Sequence, residues 1–259
     1  PYTYGQQIVR NTKTKIANDY FHPERVTCVE VEPRPISENI RAGATVAEAI
    51  KIKSRVDEEL TIQIGAKEIE TKYPNSVFSD FKFELRGESE LQLAGRRENR
   101  QVLLIRSPRD IKKGGYYGKV AVHVYNKNKE FLEAHEIPLD IVVGEKHNKK
   151  VDVEKLNINF QKNNIVFSIT SENISSVHIS PEAVLNLKKD NEVFRTYNLY
   201  LQEGIDRILP LHSAVMFAET AVENIEAGDY EAEITVYENN IIMLKKEFSI
   251  TIAAKEEDE

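Results

Sequence analysis

The sequence predicts an all-β protein: two tandem immunoglobulin-like β-sandwich domains behind an extended N-terminal arm. The first observation is a motif that occurs twice. Ile111-Lys112-Lys113-Gly114-Gly115-Tyr116 recurs as Ile225-Glu226-Ala227-Gly228-Asp229-Tyr230, each opening an alternating strand that ends Val-Tyr. The form apolar-x-x-Gly-x-Tyr is that of a tyrosine corner, in which the phenol hydroxyl bonds back to nearby backbone. The second is alternation with a period of two, as in Ile50-Lys51-Ile52-Lys53, Leu60-Thr61-Ile62-Gln63-Ile64 and Phe81-Lys82-Phe83-Glu84-Leu85. Such runs put apolar side chains on one face of a sheet and polar ones on the other. The third is length: 259 residues hold two domains of about 100–130 residues, each able to bury its own core.

Residues 1–25 form the arm. It carries Tyr2, Tyr4, Tyr20 and Phe21 with Ile8, Val9 and Ile16, without a sustained period of two or 3.6. The first domain, residues 26–144, reads as strands near 26–32, 46–53, 60–66, 77–85, 90–93, 101–106, 116–125 and 131–143. Glycines 43, 87 and 95 and prolines 33, 35, 74 and 108 punctuate it. Residues 145–150 read as a linker, charged and without an apolar residue. The second domain, residues 151–254, reads as strands near 156–160, 164–170, 176–180, 183–188, 192–200, 207–217, 230–237 and 243–253. Within it Ala218, Ala221, Val222 and Ile225 fall at helical spacing, with Glu219, Glu223 and Glu226 facing away and Gly228 as a stop. That predicts a short helix between the strand ending near 217 and the one starting at Tyr230. The tail 255–259 is acidic and expected to be solvated.

The net charge of −7 is unevenly spread: four Lys/Arg against two acids in residues 1–25, nineteen of each in 26–144, and twelve against twenty-one in 145–259. A surface this acidic argues against nucleic acid as the main partner, since phosphate binding needs basic residues. A basic arm and an acidic second domain can instead attract one another between molecules. No apolar run approaches the roughly 20 residues of a membrane span. The single cysteine, Cys28, rules out an internal disulfide framework; it shares its strand face with Glu30 and Glu32 and reads as a small half-buried thiol, or as an intermolecular crosslink. A first residue of Pro rather than Met fits a mature exported chain, and equally removal of an initiator Met.

Motifs that carry chemistry are missing from the sequence. His22, His123, His135, His147, His178 and His212 show no HExxH or Cys/His spacing. His123 and His135 lie on adjacent strands of the reading, where they can meet across a hairpin. Gly114-Gly115-Tyr116-Tyr117-Gly118 lacks the Lys-Ser/Thr of a phosphate loop, and its glycines suit a corner. Arg96, Arg97 and Arg100 make a small basic turn, either solvated or an anion contact. Asn173-Ile174-Ser175 fits a glycosylation acceptor. Catalytic, cofactor-binding and metal residues are therefore all read as none, and an enzyme would need a carboxylate pair assembled by the fold.

The arm is the partner-binding candidate, through Tyr2, Tyr4, Ile8, Val9, Tyr20 and Phe21. A sandwich leaves edge strands whose free backbone groups an extended segment can complete. The arm can do this for a neighbour, fold back on its own domain, or lie across the surface. Tyr116 and Tyr230 are assigned as structural tyrosine corners.

Val29-Glu30-Val31-Glu32-Pro33, then Ile40-Arg41-Ala42-Gly43-Ala44-Thr45, then Gln101 to Pro108 leading into Gly114-Gly115-Tyr116-Tyr117-Gly118, run in an order that resembles the first domain of PapD-like chaperones and of WxL-interacting bacterial cell-surface proteins. Residues 151–253 are similar to the second sandwich of such proteins. The resemblance implies an extracytoplasmic protein, in the periplasm or at the cell surface, that binds itself or other envelope proteins. The expected function is thus a non-catalytic structural or assembly protein. The alternative is a monomeric chaperone-like or ligand-binding module, with Tyr116, Tyr117, Tyr125, Tyr197 and Tyr200 contributing to an aromatic patch.

Overall fold

A computed structural model describes residues 27–33, 35–69, 73–161 and 163–253. They divide into two compact units between His147 and Asn148, whose regular secondary structure is nearly all strand.

The N-terminal unit holds β1 (Val29–Glu32), β2 (Ile36–Ile40), β3 (Thr45–Ser54), β4 (Leu60–Lys67), a single helical turn α1 (Val77–Asp80), β5 (Lys82–Arg86), β6 (Glu90–Leu93), β7 (Glu98–Arg106), β8 (Gly114–Asn126) and β9 (Phe131–Val143). One sheet has the order β1-β3-β7-β5, the other β2-β9-β8-β4-β6. The opening strand serves both. β1 pairs antiparallel with β3, from Val29↔Ser54 to Glu32↔Lys51, and after Pro33 the chain crosses so that β2 runs parallel to β9, from Ile36↔Leu139 to Ile40↔Val143. Between the sheets lie Ile50, Ile52, Leu60, Ile62, Leu103, Ile105, Ile137, Leu139 and Ile141, all fully buried. Each contributes about 2 kcal/mol by leaving water.

Two features depart from the sequence reading. β2 was not expected: Ile36-Ser37-Glu38-Asn39-Ile40 is mostly polar, and its partner β9 supplies the reason for it to be a strand. The strand expected over 77–85 starts only at Lys82. Ser76 Oγ accepts from Phe78 N at 3.1 Å and Asp80 Oδ2 from Ser76 N at 2.9 Å, so a local cap closes one helical turn first.

The C-terminal unit holds β10 (Val151–Gln161), β11 (Asn164–Asn173), β12 (Glu182–Lys189), β13 (Glu192–Leu201), β14 (Ser213–Ala221), a 3-10 turn (Val222–Asn224), β15 (Gly228–Glu238) and β16 (Ile241–Ile252). The order is β10-β11-β14-β13-β12-β15-β16, and every neighbouring pair is antiparallel. β13 pairs along most of its length with β12 but touches β14 only at Tyr200↔Phe217 and Leu201↔Met216, which folds the order into two facing layers. Val153, Ile165, Phe167, Ile169, Leu185, Leu187, Ile234 and Val236 are fully buried between them.

Here three expectations are corrected. The helix of 218–225 shrinks to the 3-10 turn, because β14 continues to Ala221 in register with Asn164 of β11; sheet pairing outweighs the helical spacing. The strand of 207–217 begins at Ser213, after a turn in which His212 N bonds Leu209 O and Leu211 takes φ 61°. The strand of 176–180 reduces to one bridge, Ile179↔Ile208. Its neighbourhood is organised by the side chain of Asn173, which is fully buried. Its Nδ2 donates to Val177 O and Ile208 O, both at 2.8 Å, and its Oδ1 accepts from Ser175 N at 2.8 Å. The amide that would accept a glycan is thus an internal tie, and the Asn-Ile-Ser sequence is structural.

The duplicated motif has the same geometry in both units. Tyr116 Oη donates to Lys112 O at 2.9 Å and Tyr230 Oη to Glu226 O at 2.8 Å, each reaching four residues back. Both rings are buried. Gly114 and Gly228, two residues before each tyrosine, have φ of 147° and 152°, where a side chain is strained. In urea denaturation, Tyr116→Phe and Tyr230→Phe are each expected to cost about 1 kcal/mol, the worth of one internal hydrogen bond, while Asn173→Ala should cost about 3 kcal/mol because it strands several buried backbone groups.

Candidate functional site

Tyr2, Tyr4, Ile8, Val9, Tyr20 and Phe21 lie outside the described residues. Among the tyrosines of the aromatic patch, Tyr116 and Tyr117 are buried and present no ring to solvent. Tyr197 stacks on Phe167 at 5.4 Å between centroids. Tyr125 is half-buried in one unit and Tyr200 exposed in the other. The five do not make a patch.

The other singled-out residues find internal partners. Arg96 holds Asp57 through Nε at 2.8 Å and a second nitrogen at 3.4 Å, and Arg100 Nε holds Glu98 at 3.2 Å. Two of the three arginines of the basic turn are therefore committed to the protein's own carboxylates. Cys28 is half-buried against the core, and burial, followed by the charge of Glu133, raises its thiol pKa. His123 and His135 do not meet. His123 pairs with Ala134 and His135 with Val122, so one ring points outward and the other inward. His135 Nε2 contacts Glu133 Oε1 at 3.0 Å, and the same oxygen accepts from Val29 N at 3.0 Å, closing the sandwich between β9 and β1. Glu48 on β3 faces Glu38 on β2; burial first, then the charge and hydrogen bond of Glu38, raise its pKa. No group of three or more His, Cys, Asp or Glu is placed to hold a metal ion among the described residues. No helix among them is long and apolar enough to cross a membrane.

What the fold exposes instead is strand. In the N-terminal unit β2 pairs with β9 only over Leu139–Val143. Beyond it Phe131 is 60% exposed and Leu132 42%. Phe131 stands with Tyr125 at 5.9 Å and His123 at 6.3 Å on the outer face of the sheet. Further along that face Gly65 and Ala121 floor a shallow trough, with Gln63, Glu90 and His123 on one wall. On the other, Lys67 and Lys119 hold Glu136 at 2.5 and 2.6 Å, and their hydrogen bonds lower its pKa to about 2.

The C-terminal unit has a more apolar opening, where the two ends of its strand order come together. Inward-facing Leu156, Ile158 and Phe160 of β10 pair with the fully buried Ile169, Phe167 and Ile165, yet are themselves only partly covered, Phe160 being 46% exposed. Leu244, Phe248 and Ile250 of β16 are likewise partly covered, though their partners Val236, Ala232 and Tyr230 are buried. At one end Lys246 Nζ donates to Val153 O at 2.5 Å. The sequence displays these residues as ordinary alternating strands. That their cover is incomplete follows from position at the ends of the sheet, which alternation does not encode.

No protein-family model and no curated protein matches the sequence. Solved structures with a similar course of chain include the E. coli chaperone DraB, at 12% identity over 86% of this chain and 95% of that one, with a TM-score of 0.40. A chaperone–tip adhesin complex of CFA/I fimbriae biogenesis gives 15% identity over 85% and 98%, with a TM-score of 0.48. A PapD-like domain of human CEP192 gives 12% over 46% and 87%, with a TM-score of 0.36. These are distant likenesses of fold, and the resemblance to WxL-interacting proteins finds no support among them.

One group carries a pH dependence that can be measured. His178 is largely buried, and that burial, with the nearby positive charges of Lys149 and Arg207, lowers its pKa to about 4. The unfolded chain, with an imidazole pKa of about 6.5, takes up a proton first as pH falls, so stability is lost between about pH 6.5 and about pH 4. Urea midpoints followed by circular dichroism should fall across that window, and more steeply for the native chain than for His178→Gln.

Proposed function

We propose that this chain is a non-catalytic, extracytoplasmic structural or assembly protein that acts through protein–protein contacts, and that it joins a surface assembly through its N-terminal arm. The observation that supports this reading is strand left exposed with apolar side chains on it, as at Phe131 and Leu132 beyond the end of β2. Open strand gives a partner two kinds of purchase. Backbone groups supply affinity by extending the sheet, and the alternating side chains set register. Tyr2, Tyr4, Ile8, Val9, Tyr20 and Phe21 are the donor residues of this reading, in a segment with an excess of positive charge.

The full chain is expected to form oligomers or filaments by light scattering and negative-stain imaging. Tyr4→Asp with Ile8→Asp should abolish them while leaving the circular dichroism melt unchanged. Monodisperse monomers of the native chain would favour the chaperone-like or ligand-binding module instead, and unchanged assembly of the variant would remove the arm from the account.

A further inference from the structure

Among its described residues the C-terminal unit has an odd number of strands in an alternating order. Seven antiparallel neighbours, β10 to β16, leave the first and last strands running in the same direction. The two cannot close on each other as an antiparallel pair, although the Lys246–Val153 contact shows that they come within a side chain's reach. One further strand, running opposite to both, would satisfy the facing edges of β10 and β16 together. It would also cover Leu156, Ile158, Phe160, Phe248 and Ile250, the apolar residues that are half in water.

From this we infer that the seam between β10 and β16 is the receptor for residues 2–9 of a second copy of the chain, added as an eighth strand. This rests on the assembly reading above and gives it an address. Three features fit the occupant. In extended backbone Tyr2, Tyr4 and Ile8 share one face, the face that would turn inward onto Ile158, Phe160 and Phe248. The arm is basic, with Arg10, Lys13 and Lys15 close behind, while residues 145–259 hold twelve Lys/Arg against twenty-one acids and residues 26–144 are balanced; attraction therefore directs the arm to the C-terminal unit. The seam is also guarded unevenly. The bulge between Val153 and Leu156 and the inward-pointing Lys246 protect one end in the way exposed edges are commonly blunted, which leaves Leu156–Phe160 as the stretch open to pairing.

The test uses the full chain. Self-association is measured by sedimentation for the native protein, Ile8→Asp, Phe160→Glu and the control Val193→Glu, an exposed apolar residue on β13, outside the seam. Losing one apolar anchor should weaken association by about tenfold or more for Ile8→Asp and Phe160→Glu, with unchanged melting, and leave Val193→Glu as native. In a Cys28→Ser background, Thr3→Cys with Asn159→Cys, which keep the apolar anchors, should be joined between chains by a short bismaleimide. Weakening by Ile8→Asp but not Phe160→Glu, with no linked dimer, would overturn the seam and leave the arm-driven assembly standing. A chain that stays monomeric at all concentrations, or is linked only within itself, would overturn both.

Discussion

Backbone hydrogen bonding at the margins of the sheets is the constraint on which the rest of this protein depends. A strand has two sides, and each N–H and C=O buried without a partner costs free energy comparable to a lost hydrogen bond. The N-terminal unit meets the requirement in part, by dividing its first strand so that β1 borders one sheet and β2 the other, and leaves β9 open beyond β2 at Phe131 and Leu132. The C-terminal unit has no such divided strand among its described residues, and its two end strands face each other with apolar side chains half covered. Where sheet margins are closed by the chain itself the structure is scaffold; where they are not, it offers a surface.

Corners and ties hold these margins in place. The hydroxyls of Tyr116 and Tyr230 fix the approach to β8 and β15, the long strands at the middle of each unit's packing, and the glycines at 114 and 228 make that approach possible. Asn173 does comparable work where regular pairing stops, supplying side-chain bonds to backbone that a ladder would otherwise satisfy. Charged pairs such as Lys67–Glu136–Lys119 sit on outer faces, where solvent screens them and their worth is small.

The strands with strict alternation were legible in the sequence, because burial of one face writes itself as a period of two: β3, β4, β8 and β15 fall close to where the pattern puts them. The tyrosine corners were legible for a different reason, a fixed spacing of Gly and Tyr that local geometry demands. What the sequence hid was set by partners distant in the chain. β2 is a strand because β9 runs beside it, Ala218 to Ala221 are strand because β11 pairs with them, and Val177 to Ile179 are not strand although their alternation is sound. The candidate surface was hidden most completely. Leu156, Ile158 and Phe160 look like core residues, and only the order of strands shows that nothing described lies over them.

Hydrogen–deuterium exchange of the native chain over a range of concentrations tests the central claim most directly. If the open seam accepts a strand from another copy, amides of Leu156–Phe160 gain protection as concentration rises, while those of β3 and β15, already inside their sheets, do not change. Exchange at Leu156–Phe160 that is independent of concentration in a solution where the chain is associated would show that the copies meet elsewhere, and would contradict the account.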